Sequence, residues 1–115
     1  MAFTKELRAE LVSLLGEDWV KDDPVTLYTY RCDGLTLYPA PPMGVVFPGN
    51  RNELVEVVKK LHSRKIPFVP RGAGTGLSGG AVPREQSVII EMARFKEIHD
   101  IDWLNRTITV GPGVI

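Results

Sequence analysis

The chain has 115 residues, 14 of them basic and 14 acidic, so its formal net charge is zero. That length allows one small domain with a modest core, and the 43% apolar and 24% charged residues are those of an ordinary globular protein. Balanced charge without a basic stretch excludes a nucleic-acid binder driven by counterion release; no apolar run reaches bilayer length, residues 1–20 lack a signal peptide's apolar core, and the lone Cys32 excludes an intrachain disulfide or a cysteine zinc cluster.

Residues 4–15 (TKELRAELVSLL) set Leu7, Leu11, Leu14 and Leu15 on one helical stripe, with Thr4 as N-cap and Gly16 just past the end. Residues 17–43 contain Asp22-Asp23-Pro24 and Pro39-Ala40-Pro41-Pro42. Proline lacks a donor and restricts its predecessor, which predicts a largely extended, irregular connector. Residues 44–48 (GVVFP) read as a short buried strand. Asn50 stands three residues before Glu53, a capping-box variant that opens a helix over 51–64 with Leu54, Val57, Val58 and Leu61 on its inner face. Glu53 and Glu56 lie early in that helix, and Lys59, Lys60, Arg64 and Lys65 lie late, as the dipole favours. Residues 66–70 (IPFVP) form the next strand, and strand–helix–strand with short joints predicts a right-handed parallel crossover.

Residues 70–80, PRGAGTGLSGG, follow at once. Beyond them, 87–92 (SVIIEM) predict a third strand, and 97–102 with 106–110 alternate around Trp103-Leu104-Asn105 as an antiparallel hairpin. The fold class expected is α+β: an N-terminal helix, then a βαβ unit extended by further strands and a hairpin. Two segments are expected, 1–43 (helix and Pro-rich connector) and 44–115. The chain stops at Ile115 just after an apolar strand and a Gly-Pro-Gly turn, which predicts that a further element follows.

Within the loop, Gly74-Thr75-Gly76-Leu77-Ser78-Gly79 matches G-x-G-x-x-G. A Rossmann site needs a helix to start inside the glycines, so that free N–H groups and the dipole meet pyrophosphate. Residues 80–87 (GAVPREQS) carry Pro83, show no apolar stripe and run into a strand, so that context fails; a Walker loop fails too, because no Gly-Lys-Ser/Thr follows. A plain flexible turn is the bland alternative. Against it stands the ordering cost of glycine, about 0.5–1 kcal/mol each relative to alanine, where a turn needs only one or two. Successive N–H groups in such a loop make a concave anion nest, and Thr75 and Ser78 add hydroxyl donors.

The strand ending in Pro70-Arg71-Gly72, the run from Ala73 to Gly80 and the strand after it resemble the flavin loop of the FAD-linked oxidases of the vanillyl-alcohol oxidase and p-cresol methylhydroxylase superfamily. Residues 45–48, 52–58 and 66–70 are similar to that family's opening βαβ segment, and within it the stretch is most similar to the flavin subunit of glycolate oxidase and to D-lactate and D-2-hydroxyglutarate dehydrogenases. The resemblance covers residues 25–115 and implies the first half of a PCMH-type FAD-binding domain. It implies that Gly72, Ala73, Gly74, Thr75 and Gly76 form the first phosphate arc and Gly80 and Ala81 the second. It leaves two roles open for Arg71, pairing with phosphate or supporting the loop from outside. Several relatives attach flavin through a loop histidine; Thr75 at that position implies non-covalent FAD.

The reaction implied is oxidation of a small 2-hydroxy acid to a 2-keto acid, with electrons passed onward to a carrier or electron-transfer subunit; a soluble, cytoplasmic protein is expected from the sequence's lack of a signal-peptide core and of a bilayer-length apolar run. Substrate-binding residues and the catalytic base come from later parts of such proteins, so no catalytic residue is assigned here and the chain alone is expected to be inactive. The alternatives are an alkyl-dihydroxyacetone-phosphate synthase-like or aryl-alcohol oxidase-like enzyme, or a non-catalytic fragment that binds a nucleotide, a partner or its own copy through an open sheet edge. His62 and His99 lie in unrelated settings without ligand spacing, so no metal site is expected. Asp22, Asp23 and Asp33 read as turn formers, Cys32 as a small packed or partly exposed residue, and Trp19 and Trp103 as packing anchors.

Overall fold

The computed structural model describes residues 3–84 and 86–115. Helix α1 spans Lys5–Leu15, with Thr4 Oγ1 accepting from Leu7 N at 3.2 Å and Gly16 at its C-cap. Leu7, Leu11 and Leu15 of its apolar stripe are buried, while Leu14 packs at the margin of the core.

The connector is more ordered than its prolines predict. A 3₁₀ turn (Glu17–Trp19) leads into β1 (Val20–Lys21), and helix α2 follows at Pro24–Thr29. Asp23 explains that helix: its Oδ1 accepts from Thr26 N at 2.9 Å, and Pro24 occupies the first helical position, where its missing N–H costs nothing. Strand β2 (Gly44–Val46) precedes helix α3 (Arg51–Ser63). Asn50 caps α3 by accepting from Glu53 N at 2.9 Å, and Glu53 Oε2 reaches back to the N–H of Gly49, one residue earlier than the usual capping box.

Strands β3 (Phe68–Arg71) and β4 (Val88–Glu91) complete a four-stranded sheet in the order β1-β2-β4-β3. The crossover strands β2 and β3 are both parallel to β4, which lies between them; β1 pairs antiparallel with β2. Composition accounts for this order. The apolar run of β4 is buried on both faces, as a central parallel strand requires, whereas β3 contains Pro70 and alternates in exposure, as an edge strand allows. Val20, Val46, Val88 and Ile90 meet α1 and α3 in one core with Leu7, Leu11, Val57 and Leu61; Val45 and Ile89, one residue out of phase, are fully buried on the opposite face. Across the helices, Glu10 bonds Lys60 at 3.0 Å and Arg64 at 2.5 Å.

The last element is the expected hairpin, β5 (Ile98–Asp102) and β6 (Thr107–Val110), with a bulge between Ile98 and Asp100. Trp103 at its turn is 84% exposed, so it does not anchor packing within this chain. Trp19 does: its ring lies 6.2 Å from that of Phe47 and beneath the guanidinium of Arg94.

Candidate functional site

Strand β3 ends at Arg71 and β4 begins at Val88, and the described residues between them form no helix. The Rossmann reading of Gly74–Gly79 therefore fails on structure as it does on sequence. Instead the loop presents main chain. The backbone N–H groups of residues 72–78 find no acceptor among the described residues, and most of these residues are exposed. Such a run of free donors is what an anion nest requires.

The predicted site residues fall along this stretch. Gly72 and Ala73 leave β3 and border a cleft of about 250 Å³, shared with Glu91, Lys96, Pro112 and Gly113. Gly74 has a φ of +69°, a conformation that disfavours any residue with a Cβ. Thr75 is exposed, and Gly76 turns its carbonyl to the N–H of Gly34 at 3.0 Å. Gly80 is exposed and Ala81 half-buried. Among the described residues, neither a positive φ nor a neighbouring atom within 4 Å demands glycine at Gly76 and Gly80. What their bare backbone leaves open is room for something outside the chain.

Behind the loop lies a brace. The Arg71 guanidinium sits where a Gly74 Cβ would be, and its Nη1 donates to the carbonyls of Cys32 (2.8 Å) and Ala81 (3.2 Å). Of the two roles left open for Arg71, the structure shows support of the loop. Its Nε lies 4.0 Å from Glu91 Oε2, with both side chains almost wholly buried, and its guanidinium lies 5.2 Å from the ring centre of Tyr30. Burial pushes the Glu91 carboxyl up, and Arg71 partly offsets this. Burial first and the Glu91 charge second push the Tyr30 hydroxyl up.

Asp33 is the residue that sequence reasoning undervalued. Its Oδ1 accepts from Leu35 N at 3.0 Å, the turn expected of it. Its Oδ2 accepts from Gly79 N, also at 3.0 Å and 46 residues away, and the residue is 7% exposed. Gly34 is pressed against the loop so closely that a Cβ there would lie 2.7 Å from the Thr75 carbonyl oxygen. The Asp-Gly pair signals a turn; nothing in local spacing signals its contact with the loop.

A long main-chain cradle with small residues facing open space fits a ligand diphosphate, held by N–H groups rather than by cationic side chains. A family model for FAD-binding domains matches residues 42–115. The chain belongs to this FAD-binding domain family.

FAD is the family's cofactor, and the loop's exposed donors suit its diphosphate. Glycolate oxidase subunit GlcD of Escherichia coli (strain K12) is 48% identical over 85 residues, covering 74% of this chain and 17% of that protein. A D-lactate dehydrogenase of Archaeoglobus fulgidus is 40% identical over 70 residues, covering 61% of this chain and 16% of that protein. Among solved structures, substrate-bound p-cresol methylhydroxylase superposes with a TM-score of 0.81 at 26% identity, over 95% of this chain and 22% of that one. The chain thus spans less than a quarter of each of these proteins. The α+β architecture is that of a PCMH-type FAD-binding domain. Among the described residues no helix is long and apolar enough to cross a membrane, and no three His, Cys, Asp or Glu side chains gather as metal ligands.

Proposed function

We propose that this chain is the FAD-holding part of an oxidoreductase that converts a 2-hydroxy acid, of the glycolate or D-lactate type, to the 2-keto acid. The observation that carries the reading is the loop with its free N–H groups at residues 72–78, in a chain 48% identical over 85 residues to a glycolate oxidase subunit. Residues 44–115 are the first subdomain of the FAD-binding domain, preceded by the helix and connector of 1–43. Gly72, Ala73, Gly74, Thr75 and Gly76 hold one phosphate through their N–H groups, and Gly80 and Ala81 hold the second; the Thr75 hydroxyl adds a donor.

When bound, FAD supplies the two-electron acceptor for the oxidation. This chain's own contribution is to bind and orient it. N–H dipoles fixed before binding stabilise diphosphate charge without reorganising. The catalytic base and the groups that select the 2-hydroxy acid belong to the remainder of the enzyme, and electrons leave the site to a separate carrier, the role of an electron-transfer subunit. A cytoplasmic location goes with this reading, as does non-covalent attachment, since Thr75 offers no histidine nitrogen.

The test is anaerobic mixing of the whole FAD-loaded protein with glycolate or D-lactate. Bleaching of the flavin's visible absorbance is the expected result. Bleaching by an aryl alcohol and by no 2-hydroxy acid would move the protein to a different branch of the superfamily.

A further inference from the structure

We infer that Asp33 and Gly34 are positioning residues for the cofactor loop: they set the spacing of its two phosphate arcs, and affinity for a diphosphate ligand depends on them although neither belongs to the loop. The inference rests on the diphosphate reading proposed above and goes beyond it.

Residues 32–34 touch the loop at each of its turning points. Gly34 N donates to the carbonyl of Gly76, where the first arc ends. Asp33 Oδ2 accepts from Gly79 N, just before the second arc begins. The Cys32 carbonyl accepts from the same Arg71 nitrogen that holds the Ala81 carbonyl, where the second arc closes. Planar trans peptides turn this anchoring into donor direction. With the carbonyl of Gly76 turned toward Gly34, the N–H of Leu77 in the same peptide unit points the opposite way. The Thr75 carbonyl packs on the same side, so the N–H of Gly76 is likewise directed away from the brace. A glycine-rich loop is costly to order. Anchors made by residues 32–34 impose that order before a ligand arrives, and preorganisation of this kind appears as affinity.

The experiment follows backbone amide signals of the 115-residue chain by NMR during titration with FAD, ADP and riboflavin, the last lacking a diphosphate. In the unaltered chain, amides of residues 72–81 respond to FAD and ADP and not to riboflavin. Gly34→Ala places a methyl against the Thr75 carbonyl and weakens FAD and ADP about tenfold or more, the scale of one misplaced charge-assisted hydrogen bond, while the amides of Leu11 and Leu61 stay where they are. Asp33→Ala behaves alike. Asp33→Asn keeps an oxygen acceptor for the Gly79 N–H and recovers most of the affinity. Unchanged FAD and ADP affinity in Gly34→Ala and Asp33→Ala would overturn the positioning role alone. No loop response in the unaltered chain to either ligand would overturn the diphosphate reading and this inference with it.

Discussion

The guanidinium of Arg71 fills the space that a side chain on Gly74 would need. Because that guanidinium also pins the carbonyls of Cys32 and Ala81, the glycine and the arginine are one structural unit. Gly76, two residues on, has no such neighbour.

This contrast separates two kinds of glycine by stability. Gly74→Ala must strain a φ of +69° and displace Arg71, and is expected to cost about 1–3 kcal/mol. Gly76→Ala has open space and an unstrained backbone, so its stability is expected to stay within about 0.5 kcal/mol of the parent chain. Urea midpoints of the two variants provide the check; equal losses in both would mean that the loop is shaped differently.

Arg71→Ala removes the partner of a buried carboxylate and leaves two carbonyls without their donor. Breaking such a pair costs about 3–5 kcal/mol, more than deleting an exposed ion pair such as Lys59–Glu56. Denaturant unfolding of Arg71→Ala beside Lys59→Ala measures the difference. Comparable effects would show that Arg71 is not the brace.

Glu91 gives the chain a pH signature. Burial raises its folded-state pKa above the ordinary 4.5, so between the two values the folded state holds more protons than the unfolded state. Its contribution is therefore fully present below about pH 4.5 and is lost as pH rises through the raised value. Arg71 and Tyr30 are the groups facing it, and Arg71 partly offsets the shift. Glu91→Gln removes the titration, so its stability relative to the parent chain should improve as pH rises from about 4 to 7. Unfolding free energies across that range test this, and a constant or reversed difference would contradict it.

Local chemistry made much of the fold legible. The leucine stripe with Thr4, the Asn50 cap with the inner face of α3, and the alternation around residues 103–105 each specified an element from neighbouring residues alone. Helix α2 was also written locally, as Asp23-Pro24 in cap and first-turn positions, but proline's reputation as a breaker obscured it. The insertion of β4 between β2 and β3 depends on which strand is most apolar across the whole sheet. In the site, the glycine density and the missing helix after Gly79 were readable, and they rejected the Rossmann reading. The contact of Asp33 with the loop was not, and the sequence left Arg71 between two roles, because Asp33–Gly79 and Arg71–Cys32 join residues 46 and 39 positions apart, and no periodicity carries such information.

We propose that Thr75, a side chain without the nitrogen that a histidine offers, leaves FAD bound without a covalent link. Unfolding the FAD-loaded protein in denaturant, followed by filtration, should release all of its flavin. Yellow colour retained on the unfolded chain would contradict non-covalent attachment.

Bare backbone at residues 72–81 is proposed to receive the cofactor, and Gly76→Ala tests this most directly. Its methyl group meets nothing within 4 Å among the described residues, so an effect on FAD is expected to come from space the ligand uses. The dissociation constant for FAD is expected to rise about tenfold or more at an unchanged urea midpoint. An unchanged dissociation constant in a variant of unchanged stability would contradict it.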